Sequence, residues 1–172
     1  MDAQKNSIKI DKRDPMYADL RFILKAIGKD KKRKVFTRLH VRTWGAEASN
    51  RWRLHRAIFN HDITPGCYTV LRNNEDMIEV IYNPFLTWPL SDKIWPNHQK
   101  FESLPESEDG SKNHVCLAKV IRDLPKDSTI NSEYFHDAIS GMAAPMVAVG
   151  DKNIPTELRS NNRLAIIASI KI

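Results

Sequence analysis

Between Met16 and Ile27 the apolar residues Met16, Leu20, Ile23, Leu24 and Ile27 recur at steps of three and four. From Lys34 onward the step shortens toward two, through Val35, Leu39 and Val41 and later Tyr68, Val70, Ile78 and Val80. A step near 3.6 turns one stripe of a helix toward a core, whereas a step of two turns alternate side chains of a strand there. The same order returns farther on. Tyr134, Phe135, Ala138, Ile139 and Met142 fit a second helix, and Met146 to Val149 and Leu164 to Ile172 fit strands. Helix followed by antiparallel strands, given twice, predicts an α+β domain: two halves forming a continuous sheet with two helices on one face.

Local signals set the boundaries. Residues 1–13 are polar and read as an arm, with a short strand around Ile8 to Ile10. Asp14 and Pro15 are expected to open the first helix, Asp as cap and Pro at the first helical position, and Gly28 to end it. About four strands are expected before Pro96, separated by turns at Thr64-Pro-Gly66 and Asn73-Asn74. Residues 102–113 are acidic and read as an exposed connector between halves 14–96 and 97–172. Val115 to Ile121 then reads as a strand, and Asn131 as the cap of the second helix. At 172 residues and 41% hydrophobic content the chain suits one well-buried core, residues 14–172.

Charge is unevenly placed. Residues 1–96 hold 18 Lys/Arg against 11 Asp/Glu, and residues 97–172 hold 9 against 10. The densest run, Arg21 to Arg56, has 12 cations opposed only by Asp30 and Glu47. Such an excess attracts a phosphate backbone without reading its sequence. No apolar run is long enough to span a membrane and no signal-peptide core is present, so a cytoplasmic protein is expected. Cys67 and Cys116 lack the spacing of a zinc site or a disulfide framework and read as structural thiols.

Catalytic patterns are missing. The six histidines show no His-Glu-x-x-His, the glycines form no phosphate loop, and no Gly-x-Ser-x-Gly elbow occurs. Asn60-His61-Asp62 is the one stretch that invites a nuclease reading. The expectation is a protein without catalytic residues, metal or cofactor. Trp44, Trp52, Trp88 and Trp95 read as core or interface anchors.

Two segments carry a resemblance. Ala48-Ser-Asn-Arg-Trp-Arg-Leu-His55 resembles the Ala-Thr-Asp-Gly-His-Arg-Leu signature of the bacterial DNA polymerase III beta sliding clamp family, and Arg163 to Ile172 resembles its closing strand, which ends in Met-Pro-Met-Arg-Leu. Lys29 to Lys34, Trp88 to Pro96 and Asn131 to Ala138 are similar to further family segments in the same order. The resemblance implies a DNA-clamp fold and a processivity role. It places Ser49, Asn50, Arg51, Trp52, Arg53, Leu54, Ala168, Ser169, Ile170 and Lys171 at a protein-binding groove. Arg51 stands where the family has Gly and Trp52 where it has His, and Ala168-Ser169 replaces Met-Pro.

In the family, three such domains make a chain and two chains close a ring around duplex DNA. A chain with one domain would then need about six copies, or a partner, to close a ring. Clamp helices line the hole, so duplex DNA is expected at Arg21, Lys25, Lys29, Lys31, Lys32, Arg33 and Lys34, with polymerase or other replication proteins at the groove. The alternative expectation is a clamp-derived interaction module that binds replication proteins without touching DNA.

Overall fold

The computed structural model describes residues 7–30, 32–89, 91–104, 112–150 and 154–171, apart from the side chains of 112 and 113. The first half runs β1 (Ile8–Asp11), α1 (Tyr17–Leu24), a 3-10 turn (Lys34–Thr37), β2 (Arg38–Arg42), β3 (Gly45–Ser49), β4 (Arg53–Ile58), β5 (Gly66–Asn73) and β6 (Met77–Tyr82). The second runs through a 3-10 turn (Ser91–Lys93), β7 (Glu102–Ser103), α2 (Lys112–Asp123), β8 (Ser128–Ile130), α3 (Ser132–Ile139), β9 (Met146–Ala148), β10 (Thr156–Ser160), β11 (Arg163–Ile167) and β12 (Ser169–Lys171).

Among the described residues ten strands make one sheet, in the order β1-β6-β5-β2-β3-β4-β11-β10-β9-β7, and β12 pairs with β8 separately. All pairings are antiparallel, and the halves are joined where β4 meets β11, Arg53 opposite Ile167 and Leu54 opposite Ile166. The α+β layer expected from the spacing is therefore present, with more strands and a third helix.

Alternation along β4 and β11 sorts the two faces. His55 and Ala57 point to the helix layer with Ala165 and Ile167, where Phe22 stacks on the His55 ring at 4.6 Å. Leu20, Ile23, Ala46, Phe135, Ala138 and Leu158 complete this core. Leu54, Arg56 and Ile166 point the other way. There residues 83–89 and 91–101 lie over the sheet as a strap, and all five residues of β3 are buried.

Several boundaries differ from expectation. The Asp14 carboxylate accepts from Met16 N at 3.0 Å in a turn before the helix, which begins at Tyr17 with no side-chain cap. That helix stops at Leu24 rather than Gly28, because Ala26 and Ile27 tighten onto Ile23 and Leu24 carbonyls while Gly28 N donates to Phe36 O at 2.7 Å. Among the described residues the short strand expected around Ile8 to Ile10 is β1, and five strands rather than about four follow it before Pro96, the extra one being β3, whose small residues hide it. Val115 to Ile121 is helical: Cys116, Val120 and Leu124 are buried at steps of four, and the β-branched residues Val115 and Ile121 face solvent. Of the expected exposed connector, Glu102, Ser103, Leu104 and the start of α2 are described, and Leu104 is buried, its N–H donating to the Pro145 carbonyl at 3.0 Å; 105–111 lie outside the described residues. β10 was not expected. The closing segment is two strands, because Ala168 N bonds to Trp52 O at 2.8 Å and the chain then changes partner from β4 to β8. Ile172 lies outside the described residues. Asn131 does cap α3, accepting from Tyr134 N at 3.1 Å.

Candidate functional site

The turn between β3 and β4 is wired by short polar side chains. Asn50 Oδ1 accepts from the N–H groups of Trp52 and Arg53, both at 3.0 Å, while Ser49 Oγ accepts from Arg51 N at 3.0 Å and donates to Arg53 O at 2.7 Å. These bonds hold Arg51 at φ 87°, a left-handed conformation that favours glycine. The turn projects Trp52, which is 52% exposed, with the Arg51 guanidinium 5.2 Å from its ring centre.

Arg53 turns back into the protein. Its guanidinium donates to Asp137 Oδ2 at 2.5 Å and to the Lys25 carbonyl, and it lies 4.4 Å from the Tyr134 ring centre. One buried side chain thus ties the hairpin to the end of α1 and to α3.

Among the described residues, three cavities are lined by this hairpin. The largest, about 570 Å³, lies on the strap face: Leu54, Ile166 and Ala168 form its floor, Ile154 and Pro155 one side, and Lys93, Ile94, Pro96 and Asn97 of the strap another. Ser49, Arg51, Trp52, Arg53 and Ser169 complete it. A second, about 400 Å³, continues past Trp52, Ala168 and Ser169 to Asn131, Tyr134, Ile170 and Lys171. A third, about 470 Å³, lies on the helix side, where Asn50 and Arg51 face Lys29, Asp30, Arg33, Glu133 and Asp137. All the residues expected at a groove line one of these cavities, although they come from opposite ends of the sequence.

The strap is positioned by a buried carboxylate. Glu47 is 0% exposed and accepts from Ser91 Oγ at 2.6 Å, from Arg56 Nε and Nη2 at 3.0 and 2.8 Å, and contacts His40 Nδ1 at 3.1 Å. Burial alone would raise its pKa, but the hydrogen bonds from His40 and Ser91 and the charge of Arg56 hold it below the ordinary 4.5. Arg42 and Arg56 also hold Asp92 at 2.7 and 2.8 Å. Trp88 stacks on His40 at 5.1 Å, and Trp95 donates to Glu157 at 2.9 Å beneath Arg56. The one sequence signal for this network was Glu47 itself, nearly alone among twelve cations between Arg21 and Arg56.

The residues expected to meet DNA fall into two groups. Arg21 donates to Asn73 Oδ1 at 2.6 Å, and Lys25 to Ser140 Oγ at 2.6 Å. Burial lowers the Lys25 pKa, Arg21, Arg163 and Arg53 adding to the effect against the pull of Asp137. Lys29, Lys32, Arg33 and Lys34 are exposed on the loop after α1, with Asp30 4.0 Å from Arg33. Lys31 lies outside the described residues. Among the described residues no three His, Cys, Asp or Glu side chains gather as a metal site, and no helix is long and apolar enough to cross a membrane.

The chain thus presents one sheet with helices on one face and a strap-walled groove on the other. No protein-family model and no curated protein matches the sequence. Solved structures are similar in fold: DNA polymerase III subunit beta from Borrelia burgdorferi (TM-score 0.64, 13% identity, 97% of this chain and 64% of that one) and from Thermotoga maritima (0.63, 11%, 100% and 67%). The C. crescentus beta sliding clamp is similar as well (0.66, 13%, 100% and 67%). This chain has the fold of bacterial beta sliding clamps, matched over nearly its whole length and over about two thirds of theirs.

Proposed function

We propose that this chain is a non-catalytic, clamp-like replication factor that assembles in several copies, presents α1 and the loop after it to duplex DNA, and receives a polymerase or other replication protein in the groove around Trp52. The observation that carries the reading is the division of labour between the faces of one sheet. Exposed Lys29, Lys32, Arg33 and Lys34 extend the helix layer, and the groove opens on the opposite side. DNA contact of this kind positions a backbone and ignores bases. The likeness runs along nearly all of this chain and 64–67% of each clamp chain. With its two helix-and-strand halves taken as one clamp-like domain, about six copies would complete a ring.

Duplex binding followed by fluorescence anisotropy on two unrelated sequences tests this reading. With about four loop cations engaged, affinity should fall about a hundredfold between 50 and 200 mM salt, equally for both sequences. Salt-insensitive or absent binding at low salt would contradict it. A second reading, an interaction module that makes no DNA contact, is favoured by the internal bonds of Arg21 and Lys25. Charge reversal at Lys31, Lys32 and Arg33 separates the two: it should abolish DNA retention under the first reading and change nothing under the second.

A further inference from the structure

The groove is apolar, yet its charged residues are all of one sign. Among the described residues the 570 Å³ cavity holds Arg51, Arg53 and Lys93 and no Asp or Glu, and its continuation holds Lys171 and again no Asp or Glu. Arg53 is paired internally with Asp137. Arg51, Lys93 and Lys171 have no carboxylate partner among the described residues. On the strap side Asp92 faces Arg42 and Arg56, and Glu157 is held by Trp95 and Arg159, whereas Asp30, Glu133 and Asp137 meet Arg51 only across the separate helix-side cavity. Apolar floor and unmatched cations lie together around one exposed tryptophan.

We propose, on the reading that this groove docks a partner protein, that its occupant is an acidic linear peptide. An apolar side chain would sit over Leu54 and Ile166, and flanking carboxylates would reach Arg51 and Lys93 at one end and Lys171 beyond Trp52. The apolar contact supplies most of the affinity and the charges select the partner. A neutral or basic peptide would leave the cations unmatched or meet like charge. The cations lie at the rim, so their contribution is modest individually and dependent on salt.

A displayed random-peptide library selected on the full chain at low salt tests this, followed by anisotropy on the enriched sequences and on amide versions with Asn and Gln replacing Asp and Glu. Enriched peptides should pair acidic with large apolar residues, and the amide versions should bind about tenfold more weakly. Lys93→Glu with Lys171→Glu should weaken the acidic peptide by a similar factor and leave the amide version unchanged. Trp52→Ala should weaken both, and Lys32→Glu with Arg33→Glu neither, which locates binding in the groove rather than on the loop. Neutral peptides that bind through Trp52 without regard to charge would overturn the acidic partner and spare the docking site. A folded chain that enriches no peptide, or self-association abolished by Trp52→Ala, would overturn both the acidic partner and the docking reading.

Discussion

Glu47→Gln removes the charge at the centre of the strap network while keeping its shape. In the wild type one carboxylate oxygen takes both Arg56 donors, at 3.0 and 2.8 Å, and the other takes Ser91 at 2.6 Å with His40 at 3.1 Å and Arg42 at 3.6 Å. Glutamine can still accept from Arg56, but its amide N–H groups then face His40 and Ser91, and two arginines lose their buried counter-charge. Breaking a fully buried pair costs about 3–5 kcal/mol. Here Arg56 and Arg42 keep 13% and 26% of their side chains in solvent and both retain Asp92, so the expected loss is about 2–3 kcal/mol. For a chain of this size that is a fall in Tm of roughly 5–10 °C. Urea unfolding followed by tryptophan fluorescence and by far-ultraviolet circular dichroism measures it. Asp92→Asn is the control: this side chain is 58% exposed, so its loss should stay under about 1 kcal/mol. Because the folded Glu47 pKa is depressed, its stabilisation is present above the ordinary 4.5 and disappears as pH falls through the lower folded value, and the two proteins should converge there. A Glu47→Gln loss no larger than that of Asp92→Asn, or one unchanged at low pH, would refute the reasoning.

Three further outcomes follow from backbone and burial. Arg51→Gly should raise stability by about 1 kcal/mol in thermal unfolding, since φ 87° is strained for arginine and free for glycine. Gly45→Ala should lower it by more than ~2 kcal/mol, because φ is +148° and a Cβ would lie 2.1 Å from the Ala57 carbonyl oxygen. His55 is buried against Phe22, its Nδ1–H donating to the Phe22 carbonyl at 2.9 Å, and burial lowers its pKa to about 3. The unfolded chain therefore takes up a proton that the folded one refuses, and stability should fall between pH 6.5 and about 3 by up to ~1.4 kcal/mol per unit. His55→Asn, which can keep the donor, should flatten that slope in pH-dependent urea titrations.

The strong helical stripes and the two ends of the groove were legible because their signals are local or carried by a resembling segment. Leu20, Ile23 and Leu24 are buried as their spacing requires, and Ala48 to Leu54 does meet the segment at Ala168. Other parts were not legible, for physical reasons. β3 is Gly-Ala-Glu-Ala-Ser, a strand buried on both faces whose small side chains carry no period. α2 was masked by Val115, Val120 and Ile121, whose branching favours strands although the buried step is four. The strap wall at Lys93 to Asn97 comes from a segment without regular periodicity, and its position is set by Glu47, Arg42 and Arg56 far from it in sequence. Arg21 and Lys25 read as free cations because their partners, Asn73 and Ser140, lie in other elements.

Solution mass by light scattering over a range of concentrations, with and without duplex DNA, tests the clamp reading most directly. A closed assembly well above the 19.8 kDa of one chain is predicted, near 120 kDa for about six copies, stabilised by duplex at low salt. A mass that stays at one chain in every condition, with or without DNA, would contradict encirclement by this protein.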